Sequence, residues 1–196
     1  TFGRFTLALL MALRGSVCLY QGEELGLEEA EIPFESLRDP YGIAFWPKFK
    51  GRDGCRTPMP WNDGRNAGFS DGTPWLPVPD AHLARNVAAQ DADPDSVLNA
   101  TRAFLRWRRT QPALVSGDIA FLDSDEPVLV FTRRDAASGD TRLVAFNLSA
   151  EDAAWVVPAG LALQPIDAPG PVAGTLDGAT LRLPPRGAFF AIVIAG

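Results

Sequence analysis

Sulfur and imidazole are scarce in this chain: its 196 residues include two cysteines, Cys18 and Cys55, and one histidine, His82. A structural zinc site takes about four Cys or His ligands, so three such residues cannot build one, and no metal or cofactor is expected. Two cysteines permit a single disulfide, but each sits among apolar or small residues and reads as a buried free thiol, which suits a reducing cytoplasm. Positive charge is also in deficit, with 18 Lys and Arg against 24 Asp and Glu and a formal net charge of −6. Nucleic acid and anionic membrane surfaces recruit a surplus of basic residues, so neither is the expected partner. Long apolar runs are missing as well. Phe5 to Leu13 falls well short of the roughly 20 residues that cross a bilayer. It imitates a signal peptide, with Arg4 ahead of it, but Arg14 closes the run and no small-x-small cleavage site follows, so it reads as a buried helix.

What is present is a globular composition, 46% hydrophobic, enough for one ordinary domain or two small ones. Phe5 to Leu13 is apolar almost all round, the pattern of a helix covered on several sides, with Gly15 placed to cap its C-terminus. Ser16 to Tyr20 then reads as a short strand buried on both faces, as in a parallel sheet. From Gln21 to Asp93 periodicity vanishes and prolines and glycines interrupt every element. So long a stretch after the carboxyl end of a parallel strand reads as a functional loop. Asp93-Pro94 opens a helix carrying Val97, Thr101, Phe104, Leu105 and Arg108, and Pro112 stops it. Beyond Gly117 the pattern becomes all-β, with strands expected at Pro127–Arg133, Thr141–Leu148, Ala154–Val157, Thr180–Leu183 and Ala188–Ile194.

Several strings resemble the α-amylase superfamily of glycoside hydrolases, and within it the α-glucosidase and oligo-1,6-glucosidase branch. Leu19-Tyr20-Gln21-Gly22-Glu23-Glu24-Leu25-Gly26 resembles the end of that family's eighth barrel strand. Gly51-Arg52-Asp53-Gly54-Cys55-Arg56-Thr57-Pro58-Met59-Pro60-Trp61 resembles its eighth loop, continued by Ala67-Gly68-Phe69-Ser70 and Pro74-Trp75-Leu76-Pro77. Asn86-Val87 with Gln90, then Asp93 to Asn99 and Pro112-Ala113-Leu114, resemble the eighth helix and its approach. The resemblance implies an α/β plus all-β fold: the C-terminal segment of a (β/α)8 barrel over residues 1–116, followed by an antiparallel β-sandwich over 117–196. It also implies retaining hydrolysis of α-glucosidic bonds by two carboxylates. The family's nucleophile, acid/base and third carboxylate belong to earlier strands, so this chain is expected to supply none of them and to be inactive alone. Its expected partners are the missing N-terminal catalytic portion and an α-glucoside. Two alternatives share these strings: a trehalose- or isomaltulose-synthase-type transglycosylase or isomerase, and a non-catalytic accessory protein of the same fold.

Glu23 and Glu24 could pass for a glycosidase pair, but neighbouring side chains point in different directions, so structural roles are expected. In the loop, Arg52 is the expected substrate-binding residue, because its planar fork can fix sugar hydroxyls and the resemblance places it at the glucose pocket. Asp53 and Arg56 are expected to scaffold the loop or line the pocket. Trp46, Trp61 and Trp75 are read as core, His82 as solvated or simply hydrogen-bonded, and Arg106, Arg108 and Arg109 as a solvated basic face.

Overall fold

The apolar run near the start folds as helix α1, Phe2–Ala12, in a computed structural model that describes residues 2–194. The chain divides into two units, residues 1–18 with 100–196, and residues 19–99.

In the first unit, α1 buries Phe5, Leu7, Ala8, Met11 and Ala12 but leaves Phe2 60% and Leu10 37% exposed. Only one face is covered, although the sequence is apolar all round. The helix ends before Gly15, and arginines from elsewhere satisfy its last carbonyls, groups that no intrahelical donor can reach. Arg108 Nε donates to Met11 O at 2.8 Å, while Arg133 Nη1 donates to Ala12 O and Leu13 O at 2.7 and 2.8 Å. Arg133 is 0% exposed and also donates to Gly117 O at 2.9 Å through Nη2. Burial, with Arg108 and Arg14 close by, lowers its pKa from the usual guanidinium value. Of the expected solvated basic face, Arg106 and Arg109 are exposed, but Arg108 is half-buried in this contact.

The strand expected at Ser16 to Tyr20 does not form: these residues join no ladder among the described residues, and Cys18 is exposed. A doubly buried parallel strand needs a neighbour on each side, and the described chain offers neither. Both cysteines are free, as read, but both are exposed rather than buried.

Helix α5, Val97–Arg109, starts later than Asp93-Pro94 suggests. Here α2 is Pro40–Phe45, α3 Asp80–Leu83 and α4 Val87–Ala92. The Asp93 carboxylate closes a turn by accepting from Asp95 N, and Ser96 Oγ accepts from Asn99 N at 3.1 Å, the geometry of an N-cap. Pro112 both stops α5 and opens a short helix α6, Pro112–Ser116.

The rest is antiparallel sheet. The strands are β1 Asp118–Phe121, β2 Val128–Arg134, β3 Thr141–Asn147, β4 Ala153–Val156, β5 Ala162–Pro165, β6 Thr175–Asp177, β7 Thr180–Leu183 and β8 Ala188–Ile194. Five pair in the order β1-β2-β3-β8-β5 and three in the order β4-β7-β6. The strands that escape the sequence pattern, β1, β5 and β6, all lie at sheet edges, where fewer positions need to be apolar. Both sheets feed one core, Val130, Leu143 and Phe189 from the larger meeting Trp155 and Leu181 from the smaller. Strand alternation sends the next residues the other way: Phe146 packs edge-on against Phe5 at 5.5 Å, and Phe190 against Trp107 at 5.2 Å. The pair Phe189-Phe190 therefore serves two different cores. No helix among the described residues is long and apolar enough to cross a membrane.

Replacing Arg133 by Met leaves three carbonyls, two of them on buried residues, without their arginine donor. We expect a loss of about 2–4 kcal/mol, the scale for opening a buried charged hydrogen-bond set, read as a lower urea midpoint; an unchanged midpoint would contradict this role.

Candidate functional site

Residues 19–99 contain no strand among them, and their helices α2 to α4 are short. Their buried apolar side chains are few: Leu25, Ile32, Leu37, Ala67, Leu76 and Leu98, of which Ile32, Leu37 and Leu76 pack together. Side-chain bonds to backbone take over the work of holding the chain. After Tyr20, Gly22 and Gly26 bracket a turn at positive φ. Glu23 accepts from Tyr20 N at 3.1 Å and Glu24 from Gly22 N at 2.8 Å, so each carboxylate braces its own stretch of backbone. Asn86 caps α4 by accepting from Ala89 N at 2.8 Å. Gln90 donates to Leu25 O at 2.9 Å and accepts from Leu98 N at 3.1 Å.

His82 is 5% exposed. Its Nε2 lies 2.8 Å from Glu28 O and its Nδ1 3.1 Å from Thr57 Oγ1. A carbonyl can only accept, so Nε2 carries a proton, and the residue is hydrogen-bonded as expected. A cavity of ≈ 210 Å³ is lined by Tyr20, Gln21, Glu23, Cys55, Thr57 and His82 among others, but not by Arg52. No group of three or more His, Cys, Asp or Glu among the described residues could hold a metal ion.

The densest charged arrangement surrounds Arg52. Asp39 accepts from Tyr41 N at 3.0 Å through Oδ1, which caps α2. Its Oδ2 accepts from Arg52 N at 3.0 Å and Arg52 Nε at 3.1 Å. Behind it, Asp53 Oδ2 accepts from Arg38 N at 2.6 Å and Asp39 N at 2.7 Å. Asp39 is 2% and Asp53 0% exposed, and Asp53 Oδ1 has no partner among the described residues. Gly51, at φ +75°, lets the two strands of loop meet: a Cβ there would stand 2.9 Å from Gly42 Cα and 3.0 Å from Asp39 Cβ. The hydrogen bond from Arg52 holds the Asp39 carboxyl below its ordinary pKa, aided by the Tyr41 and Arg52 amides and opposed by burial.

Arg52 is thus gripped by its Nε while its side chain stays 59% exposed. Its terminal nitrogens make no hydrogen bond among the described residues, which leaves a fork of donors facing outward. Of the other expected residues, Asp53 lies in the brace itself. Arg56 is half-buried, with no ion-pair partner among the described residues; its backbone N donates to Asp53 O at 2.9 Å. The three tryptophans contradict their reading as core: Trp46 is 37%, Trp61 51% and Trp75 52% exposed. A loop with so few buried aliphatic residues has no interior large enough for them. The sequence assigns Asp39 no role in the pocket or its scaffold, although Asp39-Pro40 carries the same N-cap and proline signature as Asp93-Pro94.

Residues 3–117 match the alpha-amylase family, described as alpha amylase, catalytic domain. The chain is 49% identical over 185 residues to a probable alpha-glucosidase of Rhizobium meliloti, covering 94% of this chain and 33% of the relative. It is 35% identical to a probable oligo-1,6-glucosidase of Bacillus subtilis, covering 77% of this chain and 30% of the relative. Among solved structures, an alpha-glucosyl transfer enzyme superposes with a TM-score of 0.93 at 56% identity, over 98% of this chain and 36% of that one. The trehalulose synthase of Pseudomonas mesoacidophila MX-45 superposes at 0.82 with 28% identity, over 98% of this chain and 38% of that one. The chain therefore spans about a third of the length of the relatives it matches.

A carboxyl whose pKa is depressed on folding stabilises the folded state above its unfolded pKa of about 4 and loses that contribution as pH falls through its folded value. Asp39→Asn should therefore lower the urea midpoint at neutral pH. The gap to the wild type should close on acidification below about pH 4. A gap that widens in acid would contradict the pairing.

Proposed function

Because the chain belongs to the alpha-amylase family, we propose that it is the C-terminal part of a retaining α-glucosidase acting on the α-glucosidic bonds of oligosaccharides. The observation that carries this reading is the 49% identity to a probable alpha-glucosidase across 94% of the chain. In our assignment, residues 1–116 are the closing segment of a (β/α)8 barrel and residues 117–196 its C-terminal β-sandwich. The two sheets that share one core support the second half of that assignment. The catalytic carboxylate pair belongs to the remaining two-thirds of the enzyme, which is this chain's principal partner. Glu23 and Glu24, the adjacent acids that imitate such a pair, are each engaged by a local amide. The complete enzyme acts in the cytoplasm, a reading supported by two thiols that are exposed and free.

In a retaining reaction one carboxylate displaces the leaving sugar to form a glucosyl-enzyme, while a second protonates the departing oxygen; water activated by that second group then releases glucose. The contribution of this chain is to hold the glucose in place. The outward fork of Arg52 donates to sugar hydroxyls, fixed at its base by Asp39. Asp53 and Arg56 belong to the supporting loop. A second reading has a specific observation in its favour: the 56% identity to an alpha-glucosyl transfer enzyme. In that case a sugar hydroxyl, instead of water, attacks the glucosyl-enzyme, and the product is a new glucoside.

Incubation of the complete enzyme with maltose, isomaltose and sucrose, followed by product analysis, separates the two. Free glucose as the main product supports hydrolysis, new disaccharides or longer glucosides support transfer, and no reaction with any of them contradicts both. In the same enzyme, Arg52→Ala should reduce kcat/KM for a p-nitrophenyl α-glucoside by about 1–3 kcal/mol of transition-state stabilisation, the scale of a lost charged hydrogen bond. Wild-type kinetics would remove Arg52 from the site.

A further inference from the structure

We infer that Asp39 is a positioning residue that acts through Arg52, its buried carboxylate setting the direction in which the arginine fork points. The inference rests on the proposed role of Arg52 at the sugar.

Three donors converge on the two oxygens of one carboxylate. Tyr41 N takes Oδ1, and Arg52 N and Nε share Oδ2. The backbone bond fixes where Arg52 leaves the chain, and the Nε bond fixes the plane of its guanidinium, so together they remove most of the rotational freedom of a long side chain. That freedom is otherwise an entropic cost when such a side chain is immobilised by a ligand. Asp39 cannot drift either. Its own amide is held by Asp53 Oδ2 at 2.7 Å, and Gly51 lies against its Cβ. The order of support runs from Asp53 to the Asp39 backbone, from the Asp39 side chain to Arg52, and from Arg52 outward. A carboxylate needed only as a helix cap would have no reason to hold the Nε of an exposed arginine. An asparagine there could not replace it, because its amide NH2 would face either Tyr41 N–H or the Arg52 donors.

Serine separates the two duties of Asp39. It caps a helix about as well as aspartate, but its single oxygen, spent on Tyr41 N, leaves Arg52 Nε without an acceptor. In the complete enzyme, Asp39→Ser should stay folded at the assay temperature, with a thermal midpoint below the wild type because Arg52 N loses its acceptor. Its KM for a p-nitrophenyl α-glucoside should rise about tenfold with a smaller change in kcat, and in an Arg52→Ala background it should have little further effect. Equal losses in both backgrounds, or wild-type kinetics beside an Arg52→Ala enzyme that is impaired, would overturn the inference. If Asp39→Ser folds poorly, Asp39→Thr, which also offers a single capping oxygen, supplies the same comparison. A crystal structure of the variant distinguishes the two claims. An Arg52 guanidinium that stays in place overturns positioning by Asp39. A guanidinium that swings away while both variants keep wild-type kinetics supports positioning and overturns the sugar-binding role of Arg52.

Discussion

Two buried carboxylates, Asp39 and Asp53, brace the part of the loop that carries Arg52. Residues 19–99 bury little aliphatic surface and form no sheet, so the usual sources of order, apolar burial and ladder hydrogen bonds, are weak there. An ionised carboxylate buried without partners would be expelled or protonated. With two or three donors each, these two instead tie together segments that lie more than ten residues apart in sequence. Removing either loses its bonds and also strands the amides it receives, which is why such sites tolerate little change.

The same device recurs with the charge reversed in the other unit. There Arg133, wholly buried, ties the end of α1 to the backbone before β1, and Arg108 assists from α5. Both units use a buried ionic side chain to satisfy backbone groups that regular structure leaves unpaired. The two differ in how much they could do without it. Around Arg133 there is a large aromatic core of Phe5, Phe146 and Phe190, whereas around Asp39 there is chiefly polar contact.

Much of this was legible in the sequence. Strands β2, β3, β4, β7 and β8 fell within a residue or so of their expected bounds: β4 and β7 alternate because one face is buried, whereas β2, β3 and β8 carry the near-continuous apolar runs of strands covered on both faces. The edge strands β1, β5 and β6 lacked that constraint and left no trace. The strand expected at Ser16 to Tyr20 had the right composition but lacks neighbours in the described chain, and a strand is made by its neighbours. Arg52 and Asp53 were visible as a polar cluster through a family resemblance. Asp39 was not, because a residue that acts by accepting hydrogen bonds from distant parts of the chain has no local signature beyond a helix cap. The three tryptophans were misjudged for the opposite reason: their size argues for burial, and only the structure reveals that the loop has too small an interior.

The central claim is that this segment presents Arg52, held by Asp39, to a glucose unit whose bond is broken by carboxylates elsewhere in the enzyme. The most direct test is a crystal structure of the complete enzyme with glucose bound. The account predicts an Arg52 terminal nitrogen about 3 Å from a glucose hydroxyl while Nε remains on Asp39. A glucose lying out of reach of Arg52, or an Arg52 released from Asp39 in the bound state, would contradict it.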